Sequence, residues 1–239
     1  MCIVNREEAV LRELNLYPLW QRRNAVAPAQ LAEVVEQKVE TASNSNKSRE
    51  QLISELDWPE LKALVRDCTA CKLRAGCTQT VFGVGDEKAG WLFVGEGPGA
   101  DEDALGEPFV GQAGKLLDNM LVAIKLKRGN NVYIANIVKC RPPGNRAPEP
   151  GEIATCLPYL QRQIGLIQPK VIVALGKTAA TALLGRDAAL GSLRGTLHDY
   201  KGIPLLITYH PAYLLRSPME KTKAWQDLCL AVETMKGLN

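Results

Sequence analysis

Four short stretches of the chain are almost wholly apolar: Trp91–Glu96, Val132–Val138, Val171–Gly176 and Leu205–His210. Near-continuous apolar runs of this length suit strands buried on both faces. Between them the apolar positions shift to helical spacing, as in Gly114–Ile124 and Lys177–Leu184. This alternation predicts an α/β fold, a three-layer α/β/α sandwich around a central four-stranded, mainly parallel sheet. Ligands of such sheets sit outside the carboxyl ends of the strands. Polar residues fall there: Glu96 after the first run, Asn136 near the end of the second, His210 closing the fourth. A carboxylate, a carboxamide and an imidazole are therefore expected to face one crevice.

The pattern changes toward the amino terminus. Residues 42–50 are small and polar, which predicts a flexible linker over 42–55. It would separate an amino-terminal extension, 1–41, from a main domain, 56–239. Within the extension, residues 5–23 read as a short amphipathic segment with Val10, Leu11 and Leu14 on one side and Pro18 as its breaker. No stretch approaches the 18 or so uninterrupted apolar residues of a membrane helix, so no membrane association is expected. The first residues also lack a basic region followed by an apolar one, and a cytoplasmic location is expected.

Charge excludes little. The 239 residues carry a net charge of +3, all of it contributed by residues 51–239. That is compatible with nucleic acid, but any basic footprint must come from local clustering. Seven cysteines in a chain expected to be cytoplasmic point to thiols that are free or metal-bound. The spacings Cys68-x2-Cys71 and Cys140-x15-Cys156 provide four thiolates, which leaves a [4Fe–4S] cluster, a zinc ion or an unliganded core open. Cys2, Cys77 and Cys229 read as core cysteines.

Two nucleotide-binding readings fail on their chemistry. Gly95, Gly97 and Ala100 loosely fit a dinucleotide fingerprint. However, Pro98 removes an N–H that would cradle a pyrophosphate, and no acidic residue ends the second strand. Gly176-Lys177-Thr178 looks like the end of a phosphate loop, yet Val171 occupies the required upstream glycine position.

Three longer blocks are more specific. They are Gly95–Leu121 (GEGPGADEDALGEPFVGQAGKLLDNML), Asn136–Pro143 (NIVKCRPP) with Asn145-Arg146, and His210–Arg216 (HPAYLLR). In this order the chain resembles the family 4 uracil-DNA glycosylases over roughly residues 60–232. The resemblance implies hydrolysis of uracil from DNA, with release of the free base and an abasic site left behind. The other class of reading is a non-catalytic DNA-binding or replication-associated protein that retains the pocket. The resemblance also implies a [4Fe–4S] cluster on Cys68, Cys71, Cys140 and Cys156, with zinc on the same cysteines as the alternative.

The family's roles carry over residue by residue. Phe109 resembles the aromatic on which the flipped base stacks, and Asn136 the carboxamide that reads the uracil edge. Gly95 and Gly97 complete the substrate-binding set. His210 resembles the donor to uracil O2 as charge develops. Glu96 resembles the carboxylate that positions or activates water, with Glu102 as a secondary catalytic candidate and Asp103 beside it. Leu214 and Leu215 resemble the apolar wedge that fills the gap left by the base. Lys139, Arg141, Arg146 and Arg216 are expected to contact phosphates. His198 fits no motif and reads as a surface residue. A branch of the family that attaches covalently to DNA carries a basic, histidine-bearing insertion after the second strand. The sequence Lys139–Glu149 lacks it, so turnover is expected. Finally, Leu11–Arg22 resembles the amino-terminal peptide of the bacterial clamp-loader psi subunit. That resemblance implies a replication-protein partner for residues 5–23.

Overall fold

The computed structural model describes residues 48–238. The extension 1–41 and positions 42–47 of the expected linker lie outside the described residues, as does the segment read as partner-docking. Positions 48–55 correct the linker reading. Ser48 caps helix α1, Arg49–Glu55, and forms a reciprocal capping box with Gln51. The helix docks through buried Ile53 and through Arg49, which donates to the Thr155 carbonyl and lies 4.9 Å from the centre of the Tyr159 ring. Ser48, one of the small polar residues that make the stretch look like a spacer, is the cap that starts the helix. Helix α2, Trp58–Arg66, follows behind a second capping box on Asp57.

Strand β1, Val84–Gly85, leads into β2, Trp91–Gly95. Helices α3, Ala100–Leu105, and α4, Gln112–Ala123, connect it to β3, Val132–Asn136. The long α5, Pro150–Ile167, precedes β4, Val171–Leu175, and α6, Lys177–Leu184. After the short α7, Leu190–Leu193, come β5, His198–Tyr200, and β6, Ile203–Thr208. Helices α8, Pro211–Arg216, and α9, Lys221–Gly237, complete the domain.

The sheet order is β1-β3-β2-β4-β6-β5. The four strands expected from the apolar runs are its parallel centre. The expected four-stranded sheet is widened to six by β1 and β5, which pair antiparallel on the two edges. Both additions are two or three residues long, too short to leave a pattern in the sequence.

Burial alternates along each central strand. Leu92, Val94, Tyr133, Ala135, Ile172 and Ala174 face one core with α1, α2, α5 and α6. Trp91, Phe93, Val132, Ile134, Val171 and Val173 face the other with α4 and α9. Residues such as Phe93, fully enclosed, each contribute about 1.5–3 kcal/mol relative to an exposed position. Because both faces are covered, the parallel strand ends are the natural place for function.

Candidate active site

The carboxyl ends of β2, β3 and β6 open into one cleft of about 420 Å³. Glu96, Gly97, Glu102, Phe109, Asn136, Arg146, His210 and Arg216 line it. The register explains the meeting. Gly95 pairs with Asn136 across β2 and β3, and the ladder runs on past both strands through Ile137 N–H to the Gly95 carbonyl and Val138 N–H to the Glu96 carbonyl. Glu96 and Asn136 are thus neighbours by backbone pairing.

Asn136 is 2% exposed, and its Oδ1 has no hydrogen-bond partner among the described residues. A buried acceptor left empty costs about 1–3 kcal/mol, so the pocket is built to receive an N–H. Gly95 lies beside it, packed against the amide. A side chain there would collide with Asn136 Oδ1 and stand 2.5 Å from Phe109 Cζ.

The Phe109 ring is buried against Gly95 and lies 5.5 Å from the His210 ring at 31°. Phe109 has a positive φ of 56°, an uncommon state for a bulky residue, costing of order 1–3 kcal/mol. Glu102 helps hold the turn. Its carboxylate accepts from Val110 and Gly111 N–H at 2.9 and 3.1 Å and from Gly99 N–H at 3.0 Å. With its oxygens engaged by three backbone groups, Glu102 anchors the loop while still lining the cleft. Asp103 is likewise engaged, accepting from Thr78 and Gln79 N–H. The hydrogen bonds from these N–H groups outweigh its burial and hold its carboxyl below the usual range.

His210 caps α8, its Nδ1 accepting from Ala212 N–H at 3.2 Å. That bond puts the ring proton on Nε2. Burial, reinforced by Arg216, pushes His210 down to about 4, so the ring is a neutral donor at physiological pH. Behind it, Gly176 has φ 92°, and a side chain there would touch His210 Cβ at 3.0 Å.

Glu96 accepts a hydrogen bond from the Thr178 hydroxyl at the start of α6. Thr178 carries no role in the sequence reading. Its only signal was the Gly-Lys-Thr string set aside as a failed phosphate loop. Tyr213 was also missed: it lines the cleft, half-exposed, and stacks on Tyr209 at 5.1 Å.

The residues expected to meet DNA divide. Arg146 and Arg216 reach the cleft, although Arg146 is paired with Glu152 at 2.7 and 2.9 Å. That pairing holds Glu152 down to about 2. Arg141 lies beside the cleft loop, with its Nε donating to Asn145. Lys139 is a correction: it is 1% exposed, and its Nζ donates to the Asn136 carbonyl and to Gln163 Oε1 at 3.0 and 2.7 Å. It braces the strand end from within and cannot reach a phosphate. Leu214 is also corrected, being 1% exposed and packed under the loop, whereas Leu215 is 44% exposed. His198 is part-buried, its ring against the Leu193 carbonyl.

Cys68, Cys71, Cys140 and Cys156 line a single small cavity between α2, α5 and the β3 exit loop, with about 10 Å³ of free volume. Among the described residues no three His, Cys, Asp or Glu side chains already stand at the spacing for one ion. Lys139 N–H donates to Cys156 Sγ at 3.3 Å. Burial pushes both the Cys140 and Cys156 thiols up, Cys156 to about 11, so these sulfurs are poor free thiolates and need a cation to ionise. Cys77, expected in the core, is only half-buried and lies against Arg74 and Cys140. Among the described residues, no helix is long and apolar enough to cross a membrane.

Comparison with known proteins gives the cleft its context. The family model described as the uracil DNA glycosylase superfamily matches residues 82–229. The chain is 43% identical over 183 residues to a type-4 uracil-DNA glycosylase of Pyrobaculum aerophilum, covering 73% of this chain and 93% of that one. It is 47% identical over 155 residues to the type-4 enzyme of Thermotoga maritima, covering 64% and 80%. A type-5 uracil-DNA glycosylase of Thermus thermophilus is more distant, at 33% over 153 residues, covering 54% and 68%.

Proposed function

The chain belongs to the uracil-DNA glycosylase superfamily, in its type-4 branch, and from that premise we propose how its own residues carry out the reaction. The activity is hydrolysis of the N-glycosidic bond of uracil in DNA, a repair step that frees uracil and leaves an abasic site. A base inside the stack is out of reach, so the nucleotide is extruded into the cleft at a cost of a few kcal/mol. The observation that carries the assignment of roles is the orphan acceptor Asn136 Oδ1, buried opposite Phe109 and His210. Uracil N3–H satisfies it, while the amide nitrogen donates to O4. Phe109 stacks on the ring.

As the bond between C1′ and N1 breaks, its electron pair moves onto the base. The neutral His210 Nε2–H donates to O2 where that charge collects. Glu96, steadied by Thr178, orients a water whose oxygen adds to C1′, its proton leaving to the carboxylate or to solvent. Leu215 fills the vacated stack, and Arg216, Arg141 and Arg146 approach phosphates on the flanks.

Cys68, Cys71, Cys140 and Cys156 would hold a [4Fe–4S] cluster, which supplies a cross-link between α2, α5 and the loop leaving β3. Cys156→Ser should then lose bound iron and lower the melting temperature; unchanged iron content would remove Cys156 from the ligand set. These reduced thiols fit a cytoplasmic setting. The segment 5–23 is proposed to engage a replication protein. Deleting 1–47 with that interaction intact would remove the idea.

A gel assay on a uracil-containing oligonucleotide, with alkaline cleavage at abasic sites, tests the roles. His210→Ala should slow single-turnover excision by roughly 10²–10³-fold, the scale of one lost oxyanion donor. A loss below about threefold is too small for such a donor and would refute the role.

A further inference from the structure

The turn that presents Phe109 is held from a direction no motif marks. Arg128 lies between α4 and β3, outside all three sequence blocks. Its Nη1 donates to the Pro108 carbonyl at 2.8 Å and its Nη2 to the Phe109 carbonyl at 2.7 Å. Its Nε donates to Asp118 of α4 at 3.0 Å, which fixes the plane of the guanidinium. A planar fork held on one edge and grasping two successive carbonyls on the other fixes the orientation of both peptide units. These units flank Phe109, the residue with positive φ. Glu102 grips the other half of the same turn through the N–H groups of Val110 and Gly111. Gly114 lets the turn close down onto α4, because any side chain there would overlap the Phe109 carbonyl.

We propose that Arg128 is a positioning residue of the active site: it locks the left-handed turn that aims the Phe109 ring, and so sets the stacking surface for the flipped base. The inference rests on the stacking role given to Phe109 above. Arg128 touches neither base nor sugar, and acts only through that ring. Lysine cannot replace it, since one ammonium cannot hold two carbonyls and Asp118 in a fixed plane.

The test is a double-mutant cycle of Arg128→Met with Phe109→Ala, read by single-turnover excision and by inhibition with free uracil. Arg128→Met should weaken uracil inhibition and slow excision by roughly 10-fold in the native background, but by less than about twofold once the ring is gone. Arg128→Lys should behave like Arg128→Met. Equal losses in both backgrounds, or no loss in the native one, would overturn the inference. Should Arg128→Met fail to fold, Asp118→Ala frees the guanidinium edge alone, and its smaller loss should also vanish with Phe109→Ala. If Phe109→Ala by itself leaves excision unchanged, the stacking role has failed. If Phe109→Ala is impaired while the cycle is additive, only the Arg128 inference has failed.

Discussion

Acidification should strike this enzyme through His210 far below the range where histidines ordinarily titrate. The folded ring takes a proton only near pH 4, against 6.5 for a free one. Burial is the main cause and Arg216 the second. Between those values the unfolded chain binds the proton and the folded one does not, so stability falls as pH falls from 6.5 toward 4. At about 1.4 kcal/mol per pH unit, the gap corresponds to about 3.5 kcal/mol, present in full above pH 6.5 and gone below pH 4. Protonation also has a local effect, because Nδ1 would then carry a hydrogen that opposes Ala212 N–H, its present donor. The start of α8 would have to shift, taking Leu215 and Arg216 with it. Urea denaturation at pH 7 and pH 4.5 measures the linkage. Native protein should lose about 2.5 kcal/mol more than His210→Gln across that interval, since other acid-sensitive groups such as Asp103 and Glu152 cancel in the comparison. Single-turnover excision should show no break from this group between pH 8 and 5. Equal losses in both proteins, or an excision break near pH 6.5 that His210→Gln abolishes, would refute the buried neutral imidazole.

Three further outcomes follow from the site. Asn136→Leu keeps the bulk but removes both hydrogen-bonding groups, and should lower kcat/KM by roughly 100-fold or more; a change under threefold would show that the amide does not read the base. Lys139→Met should cost about 2–4 kcal/mol by leaving the Asn136 carbonyl and Gln163 unpaired, seen as a lower melting temperature. Its DNA affinity should keep the same salt dependence, whereas loss of a phosphate contact would reduce the slope by about one. Leu214→Ala should destabilise the fold by about 2–5 kcal/mol, while Leu215→Ala should leave stability nearly unchanged and slow excision from duplex DNA. The reverse pattern would mean that the buried and exposed leucines have been misassigned.

The parallel centre of the sheet was legible because four buried strands leave four apolar runs, and polar residues at their ends stand out. Glu96, Asn136 and His210 could be placed in one crevice on that ground alone. Register and burial could not be read. Lys139 sits in a basic string whose neighbours face the cleft, and only the structure turns its amine inward to Gln163. Leu214 and Leu215 are adjacent and chemically identical, so periodicity over one short helix cannot separate them. Arg128 and Thr178 are remote from the motifs they support, and a contact made across the fold leaves no local pattern. The helix at 49–55 was missed because a cap and a spacer use the same small polar residues.

Gly95 carries a consequence for how the cleft could be shut. Its missing side chain lets the Asn136 amide oxygen and the edge of the Phe109 ring close onto the β2 backbone, where a Cβ would overlap both. A single methyl added there would force the amide and the ring out of place and so disarm the pocket at the two side chains that shape it. Such a variant should still find DNA yet be unable to admit the lesion, a decoy made by adding one carbon.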